Sequence, residues 1–132
     1  WGRIIFISSE SGIQIPAEMV HYGTTKTAQL GVSRGLAQQT AGTNVTVNTV
    51  IPGSTRSEGS EKFISDLAQE KGLSKEEVEQ EFFDKVRPTC LLERFATTDE
   101  VATFVTYLSS PLAAANNGAA LRVDGGTIPT IL

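Results

Sequence analysis

The sequence is short of the residues that build disulfides and metal centres. Its 132 residues include one cysteine, Cys90, and one histidine, His21. A single cysteine cannot close an intramolecular disulfide, so nothing requires an oxidising compartment. We predict that Cys90 is buried and unreactive, and that His21 is not an acid–base group. Asp124, in an Asp-Gly-Gly turn, has no second ligand spaced to join it, and we therefore predict no metal site.

The chain also lacks a strong excess of charge and any long hydrophobic run. Its formal net charge is −4, and its lysines and arginines are scattered, which disfavours a nucleic-acid-binding surface. No apolar run approaches the roughly 18 residues of a membrane span, and no signal-peptide pattern occurs. We therefore expect a cytoplasmic protein that contacts neither membrane nor nucleic acid. Its length suits one globular unit.

What the sequence does contain is an alternation of β-branched runs with helical patterns. Strands alternating with helices in this order indicate parallel βα units and an open α/β sheet. Ser74 with Glu77 and Thr97 with Glu100 form capping-box patterns ahead of two helices. The segments are strands at 3–9, 44–51 and 119–123, and helices at 21–39, 61–70, 75–86 and 98–109.

Tyr22 and Lys26 are the most informative pair of residues. Their spacing of four places the phenol and the ammonium on one face of a helix. A fixed cation beside a phenol favours its ionised form and makes it a useful acid–base group. Ser9 ends the apolar run thirteen residues before Tyr22 and adds a hydroxyl to a plausible proton-transfer centre. By itself, without the surrounding motifs, such a pair is more often an exposed pair on a helix face.

Five motifs, in order and spacing, resemble the short-chain dehydrogenase/reductase family, and most closely the bacterial 3-oxoacyl-carrier-protein reductases. They are GRIIFISS at 2–9, YGTTK at 22–26, VTVNTVIPG at 45–53, RFATTDEVA at 94–102 and LRVDGG at 121–126. The resemblance implies the C-terminal part of a Rossmann-like, doubly wound parallel sheet. It also implies an enzyme that transfers a hydride between NAD or NADP and the carbonyl or alcohol carbon of a small molecule.

The resemblance assigns catalytic roles to three residues. Tyr22 is expected to be the general acid in reduction and the general base in oxidation. Lys26 is expected to support the phenolate and to hydrogen-bond the nicotinamide ribose. Ser9, rather than Ser8, is expected to orient the substrate carbonyl, because the family places its serine thirteen positions before the tyrosine.

The resemblance also assigns cofactor contacts to the loop after the second strand. Pro52 and Gly53 are expected to pass beneath the nicotinamide. The backbone of Thr55 and the hydroxyl of Ser57 are expected to meet its carboxamide. The family usually has threonine at the position of Ser57, and serine keeps the hydroxyl.

The glycine-rich dinucleotide fingerprint of the family does not occur in this sequence. The resemblance therefore leads us to expect that residues 1–132 are the C-terminal half of a single domain, without the N-terminal dinucleotide-binding half. A second hypothesis follows: the 132-residue chain alone is an inactive fragment that retains only its fold and association surfaces. We expect it to bind no dinucleotide, since its first strand would leave an open apolar edge.

Residues 54–92, here called the lid segment, are longer than the corresponding stretch in the carrier-protein reductases. We predict that the lid segment is mobile, covers the active site, and selects a small or medium apolar ketone. The family forms homodimers and homotetramers. Such association would bury the small residues Gly31 and Gly35 and the apolar tail at 127–132. An apolar stripe at Ala28, Val32, Leu36 and Ala37 is expected to face a sheet or another helix.

Overall fold

Three parallel strands form the frame of the molecule. The structure, a computed structural model, describes residues 1–131. The strands are β1 (Gly2–Ile7), β2 (Val45–Pro52) and β5 (Ala120–Val123), and they lie in the order β1–β2–β5. The central strand β2 is almost wholly buried, which explains its continuous β-branched run, since a central parallel strand is covered on both faces. The predicted α/β fold with a parallel sheet is confirmed.

Helix α1 (Val20–Gln39) connects β1 to β2 and packs on the sheet through small side chains. Its buried residues are Gly23, Ser33 and Ala37. The expected apolar stripe is only partly turned inward: Ala37 is buried, but the side chain of Val32 is 53% exposed. The small residues of α1 allow its backbone to lie close to the sheet, and Ala28 and Val32 of the stripe are left exposed.

The opposite face of the sheet is covered by helix α4 (Thr98–Ser109). Leu108 of α4 is fully buried against Val50 of β2 and Ala113, and Phe104 and Leu121 pack around them. This cluster fixes α4 beneath the sheet, so that its first turns stand beside the carboxyl ends of the strands.

The lid segment folds around a second apolar cluster of its own. Its elements are β3 (Thr55–Arg56), α2 (Glu58–Lys71), α3 (Lys75–Glu81) and a π-helical turn (Phe82–Val86). The sequence predicted one helix over 75–86, but its last residues form the π turn, which a hydrogen bond from the Arg87 N–H to the Phe82 carbonyl closes at 3.0 Å. β3 pairs in parallel with β4 (Ala96–Thr97) in a small sheet that the sequence analysis missed.

Both predicted capping boxes are present. Ser74 Oγ accepts from the Glu77 N–H at 3.1 Å, and Thr97 Oγ1 accepts from the Glu100 N–H at 3.1 Å. A third box, between Ser57 and Ser60, begins α2. It was missed because its reciprocal partner is a serine instead of the usual glutamate or glutamine.

The C-terminal tail is divided between core and surface. Thr127 and Ile128 are buried, whereas Ile131 is exposed, and Leu132 lies outside the described residues. The Arg122 guanidinium holds the tail by donating to the carbonyls of Ile128 and Ile131 at 3.2 Å. Within residues 1–131, no helix is both long enough and apolar enough to cross a membrane.

Candidate active site

The two serines that end the first apolar run play different parts. The Ser8 side chain is buried, and its hydroxyl donates to the Lys26 carbonyl at 2.8 Å, which ties β1 to α1. Ser9 is half-buried, and its Oγ accepts from the Ser11 N–H at 3.1 Å at the start of a 3-10 turn (Glu10–Gly12). Because Ser8 is used within the fold, Ser9 is the serine whose hydroxyl proton is free to meet a ligand.

Tyr22 and Lys26 lie in the first two turns of α1. The Lys26 Nζ atom is 5.6 Å from the centroid of the Tyr22 ring, and it donates to the Ile7 carbonyl at 3.0 Å. That bond anchors the ammonium to the end of β1, beside the two serines. The arrangement holds a cation, a phenol and a hydroxyl at one edge of the sheet.

Two glycines that the sequence analysis did not assign bring these elements together. A Cβ at Gly12 would lie 2.9 Å from the Lys26 carbonyl carbon, and one at Gly23 would lie 2.8 Å from the Ser11 carbonyl oxygen. Neither position has room for a side chain, so the start of α1 packs directly on the Ser9 loop. The sequence offers only the glycines themselves as a sign of this packing, and Gly23 directly follows Tyr22.

The end of β2 forms the floor of the site. A Cβ at Gly53 would lie 2.6 Å from the Asp124 carbonyl oxygen, so the backbone of this loop packs against the backbone that follows β5. The Thr55 hydroxyl donates to the Gly53 carbonyl at 3.0 Å and fixes the turn between them.

These elements line an open cleft of about 660 Å³, here called the cavity. The predicted site residues that line it are Ser9, Tyr22, Lys26, Pro52, Gly53 and Thr55. Ser57 does not line it: its Oγ accepts from the Ser60 N–H at 3.3 Å and caps α2. The far wall comes from α4, through Val101, Val105 and Thr106, and this contribution was missed because it depends on how α4 crosses beneath the sheet.

A buried ion pair beside the site was also missed. The Glu10 carboxylate, with 5% of its side chain exposed, accepts from Arg87 Nε at 2.9 Å. Glu10 directly follows Ser9, and Arg87 lies in the last part of the lid segment. The two residues are 77 positions apart, and no local pattern connects them.

Other charges of the lid segment lie at its surface. Arg56 forms a bidentate contact with Glu79 at 2.7 Å and pairs with Glu61, and both carboxylates raise the pKa of its guanidinium. Lys71 and Lys85 flank Glu81 and lower the pKa of its carboxyl to about 2. These pairs lie on the outside of the lid segment, and none of their side chains lines the cavity, whose walls are mostly apolar around the Lys26 ammonium.

The remaining sequence candidates have structural surroundings. Cys90 is buried, with its Sγ 3.8 Å from the Gly125 carbonyl oxygen. Asp124 does close the last strand in a turn, where Gly125 and Gly126 adopt positive φ. Its carboxylate is buried and accepts from the Ile128 N–H at 2.9 Å. Within residues 1–131, no cluster of histidine, cysteine, aspartate or glutamate is placed to hold a metal ion.

The chain is similar to known oxidoreductases along nearly its whole length. A family model described as enoyl-(acyl carrier protein) reductase matches residues 1–127. The chain is 51% identical over 130 residues to an uncharacterized oxidoreductase of Bacillus subtilis, YvaG, covering 98% of this chain and 49% of that protein. It is 35% identical over 127 residues to the 3-oxoacyl-[acyl-carrier-protein] reductase FabG of Aquifex aeolicus, covering 96% of this chain and 45% of that protein.

A solved structure shows the same arrangement of elements. The structure of L-sorbose reductase from Gluconobacter frateurii, complexed with NADPH and L-sorbose, matches with a TM-score of 0.90 and 29% identity. The match covers 98% of this chain and 48% of that one. The chain thus spans about half the length of the relatives it matches.

Proposed function

The chain belongs to the short-chain dehydrogenase/reductase family, and from that premise we propose that it supplies the proton-transfer and substrate-facing half of an NAD(P)-dependent oxidoreductase. The full-length protein transfers a hydride between a nicotinamide cofactor and the carbonyl or alcohol carbon of a small molecule. The proposal rests on one observation: Ser9, Tyr22 and Lys26 line the same cavity as Pro52 and Gly53.

Tyr22 is the proton donor in this proposal. In reduction, its hydroxyl gives a proton to the carbonyl oxygen as the carbon gains the hydride, and in oxidation the phenolate takes that proton back. The Lys26 ammonium, with its Nζ 5.6 Å from the ring centroid, places a positive charge near the ring on which negative charge develops as the proton leaves. Ser9 donates its free hydroxyl proton to the same carbonyl oxygen and so fixes the direction of the C=O bond.

The residues present fit a nicotinamide cofactor. Lys26 uses one N–H for the Ile7 carbonyl and, with three donors on an ammonium, has others for ribose hydroxyls. Pro52 and Gly53 give a side-chain-poor floor, and Thr55 lies at its edge. When bound, the cofactor supplies the hydride. The NADPH of L-sorbose reductase favours NADP, although NAD uses the same contacts in this half of the domain.

The roles are tested in the full-length protein with NADH or NADPH and a panel of ketones: ethyl acetoacetate, cyclohexanone and L-sorbose. Tyr22→Phe is expected to lower kcat by about 10²–10⁴-fold, the usual contribution of general acid catalysis. Tyr107→Phe is the matched control, because Tyr107 bonds Asn116 and does not line the cavity. A loss below tenfold on Tyr22→Phe would remove the assigned role.

A second candidate function applies to the 132-residue chain alone: it is inactive and retains only association surfaces. Within the described residues, β1 pairs on one side only, with β2, and Ile4 and Ile7 are 40% and 44% exposed. That open, apolar edge favours association over cofactor binding. A titration of NADH fluorescence separates the two ideas, since micromolar binding by the isolated chain would contradict the second.

Subunit association is proposed through the outer face of α1. A Cβ at Gly31 or Gly35 would meet nothing within 4 Å, and Val32 beside them is exposed. Such a smooth surface lets a second helix approach closely, which suits a homodimer or homotetramer. Light scattering of the full-length protein at micromolar concentration tests this, and a monomer would contradict it.

The lid segment is proposed to select the substrate. The length of the lid segment and its position directly after Pro52 and Gly53 are the grounds for proposing a small or medium apolar ketone over a carrier-bound acyl chain. Grafting the shorter lid of a carrier-protein reductase onto the full-length protein is expected to change the order of preference within the ketone panel. An unchanged order would mean that other residues select the substrate.

A further inference from the structure

We propose that Glu10 and Arg87 are positioning residues that couple the Ser9 loop to the last residues of the lid segment. The proposal rests on the proposed function for its consequence in catalysis and on the geometry alone for its structural part. Through this ion pair, the direction of the Ser9 hydroxyl and the conformational order of residues 82–92 depend on one another.

On the catalytic side, one residue connects Glu10 to Ser9. The Ser11 hydroxyl donates to Glu10 Oε1 at 3.2 Å, while the Ser11 backbone N–H donates to Ser9 Oγ at 3.1 Å. Ser11 is itself buried. A shift of the Glu10 carboxylate therefore moves the group that orients the Ser9 hydroxyl.

On the lid side, the Arg87 guanidinium lies between the Glu10 carboxylate and the Phe82 ring, whose centroid is 5.9 Å away. Phe82 stacks on Phe95 with the ring centroids 5.2 Å apart, and both rings contact Phe83. The Arg87 N–H also closes the π-helical turn on the Phe82 carbonyl. The guanidinium thus packs against the apolar core of the lid segment.

Burial gives this pair an influence that the surface pairs lack. The Glu10 and Arg87 side chains are 5% and 14% exposed, less than the partners of any other ion pair within residues 1–131. Exposed pairs contribute little because water screens them, whereas removing one partner of a buried pair leaves an uncompensated charge. The surrounding loops must then move to bring water to that charge.

Hydrogen exchange in the full-length protein tests the coupling without reference to activity. Arg87→Gln is expected to speed exchange at residues 9–19 about tenfold, and Glu10→Gln to speed exchange at 82–92. The matched control is Lys62→Gln, which removes a lid cation of the exposed Lys62–Asp66 pair and is expected to leave 9–19 unchanged. If each substitution affected only its own segment, the coupling would be disproved.

Kinetics then tests the consequence for Ser9. Arg87→Gln is expected to lower kcat/KM for the fastest ketone of the panel roughly 10–100-fold, since small misplacements of a reacting group have effects of that size. The Kd for NADPH, from fluorescence titration, should stay within threefold. A merely structural pair would lower the melting temperature and leave kcat/KM of the folded enzyme within twofold, and that result would overturn the catalytic part.

Two further variants keep the test decisive if Arg87→Gln folds poorly. Arg87→Lys retains the charge and is expected to recover most of kcat/KM. The double variant Glu10→Gln, Arg87→Gln removes the unpaired carboxylate and is expected to be no worse than Arg87→Gln alone; additive losses would contradict a shared pair. If the unmodified protein reduces no ketone, the proposed function fails, while the exchange experiment still decides the coupling.

Discussion

The strand–helix frame and the lid segment hold their residues in place by different means. Around the catalytic residues of the frame, backbone packs on backbone: Gly12 and Gly23 seat α1 on the Ser9 loop, and Gly53 lies against Asp124. In the lid segment, side chains form the contacts, through an aromatic cluster around Phe83 and charged pairs at the surface. The catalytic groups thus depend on main-chain geometry, whereas the lid depends on side chains that can be exchanged to suit a substrate.

The largest effect on stability is expected from the lid core. Phe83 is 3% exposed and contacts Phe82 and Phe95 edge-on, with ring centroids 5.1 Å apart. Phe83→Ala is expected to cost about 3–5 kcal/mol of unfolding free energy, measured by urea denaturation, and to speed hydrogen exchange in the lid segment more than in β2. The control is Phe63→Ala on α2, where the side chain is 52% exposed. Equal losses at both positions would mean that the cluster is not the lid's core.

A smaller loss of unfolding free energy is expected from a substitution in the strand–helix frame. Gly53→Ala places a Cβ against the Asp124 backbone, and overpacking of this kind costs about 1–3 kcal/mol. The same change is expected to weaken NADPH binding, because Gly53 lines the cavity. Gly59→Ala in α2 is the control: its Cβ would be 3.8 Å from Ser57 Oγ, and alanine favours a helix by up to about 1 kcal/mol. An unchanged stability for Gly53→Ala would show that the strand-end loop can move.

The N-cap residues of α2 and α3 distinguish a capping role in the lid segment from a cofactor contact. Ser57→Ala and Ser74→Ala each remove a capping hydroxyl and are each expected to cost about 1 kcal/mol. Ser57 is also the expected carboxamide contact, and its hydroxyl proton is not used by the cap, in which Oγ is the acceptor. Only Ser57→Ala should therefore raise the Kd for NADPH, as measured by fluorescence titration. Equal Kd values for the two variants would leave Ser57 as a cap alone.

The smallest effect on stability is expected from lowering the pH. Lys71 and Lys85 lower the pKa of Glu81 from 4.5 to about 2 in the folded protein. The stabilisation is therefore complete above pH 4.5 and is lost as the pH falls toward 2. The effect is small because these groups are exposed and screened. In urea denaturation at pH 6 and pH 3, Glu81→Gln should show a weaker loss on acidification than the unmodified protein. Glu70→Gln, which removes another exposed carboxylate, should show the same loss as the unmodified protein.

The sequence predicted the parts of the fold whose signals are local. The four-residue spacing of Tyr22 and Lys26, the capping boxes and the β-branched strands each depend on neighbours along the chain, and the structure places them as expected. The strands β3 and β4 were missed because two residues carry too little pattern. The stripe through Val32 was assigned no definite partner, since periodicity identifies an apolar face without saying what covers it.

The sequence by itself determined the parallel α/β fold, because backbone propensity acts over a few residues, and its motifs nominated Ser9, Tyr22 and Lys26 as candidate catalytic residues. Only the tertiary structure showed that Ser8 bonds the Lys26 carbonyl, that α4 forms the far wall of the cavity, and that Glu10 meets Arg87. The last contact joins residues 77 positions apart. The pair forms because the end of the lid segment packs against the Ser9 loop, and no short-range interaction specifies that contact.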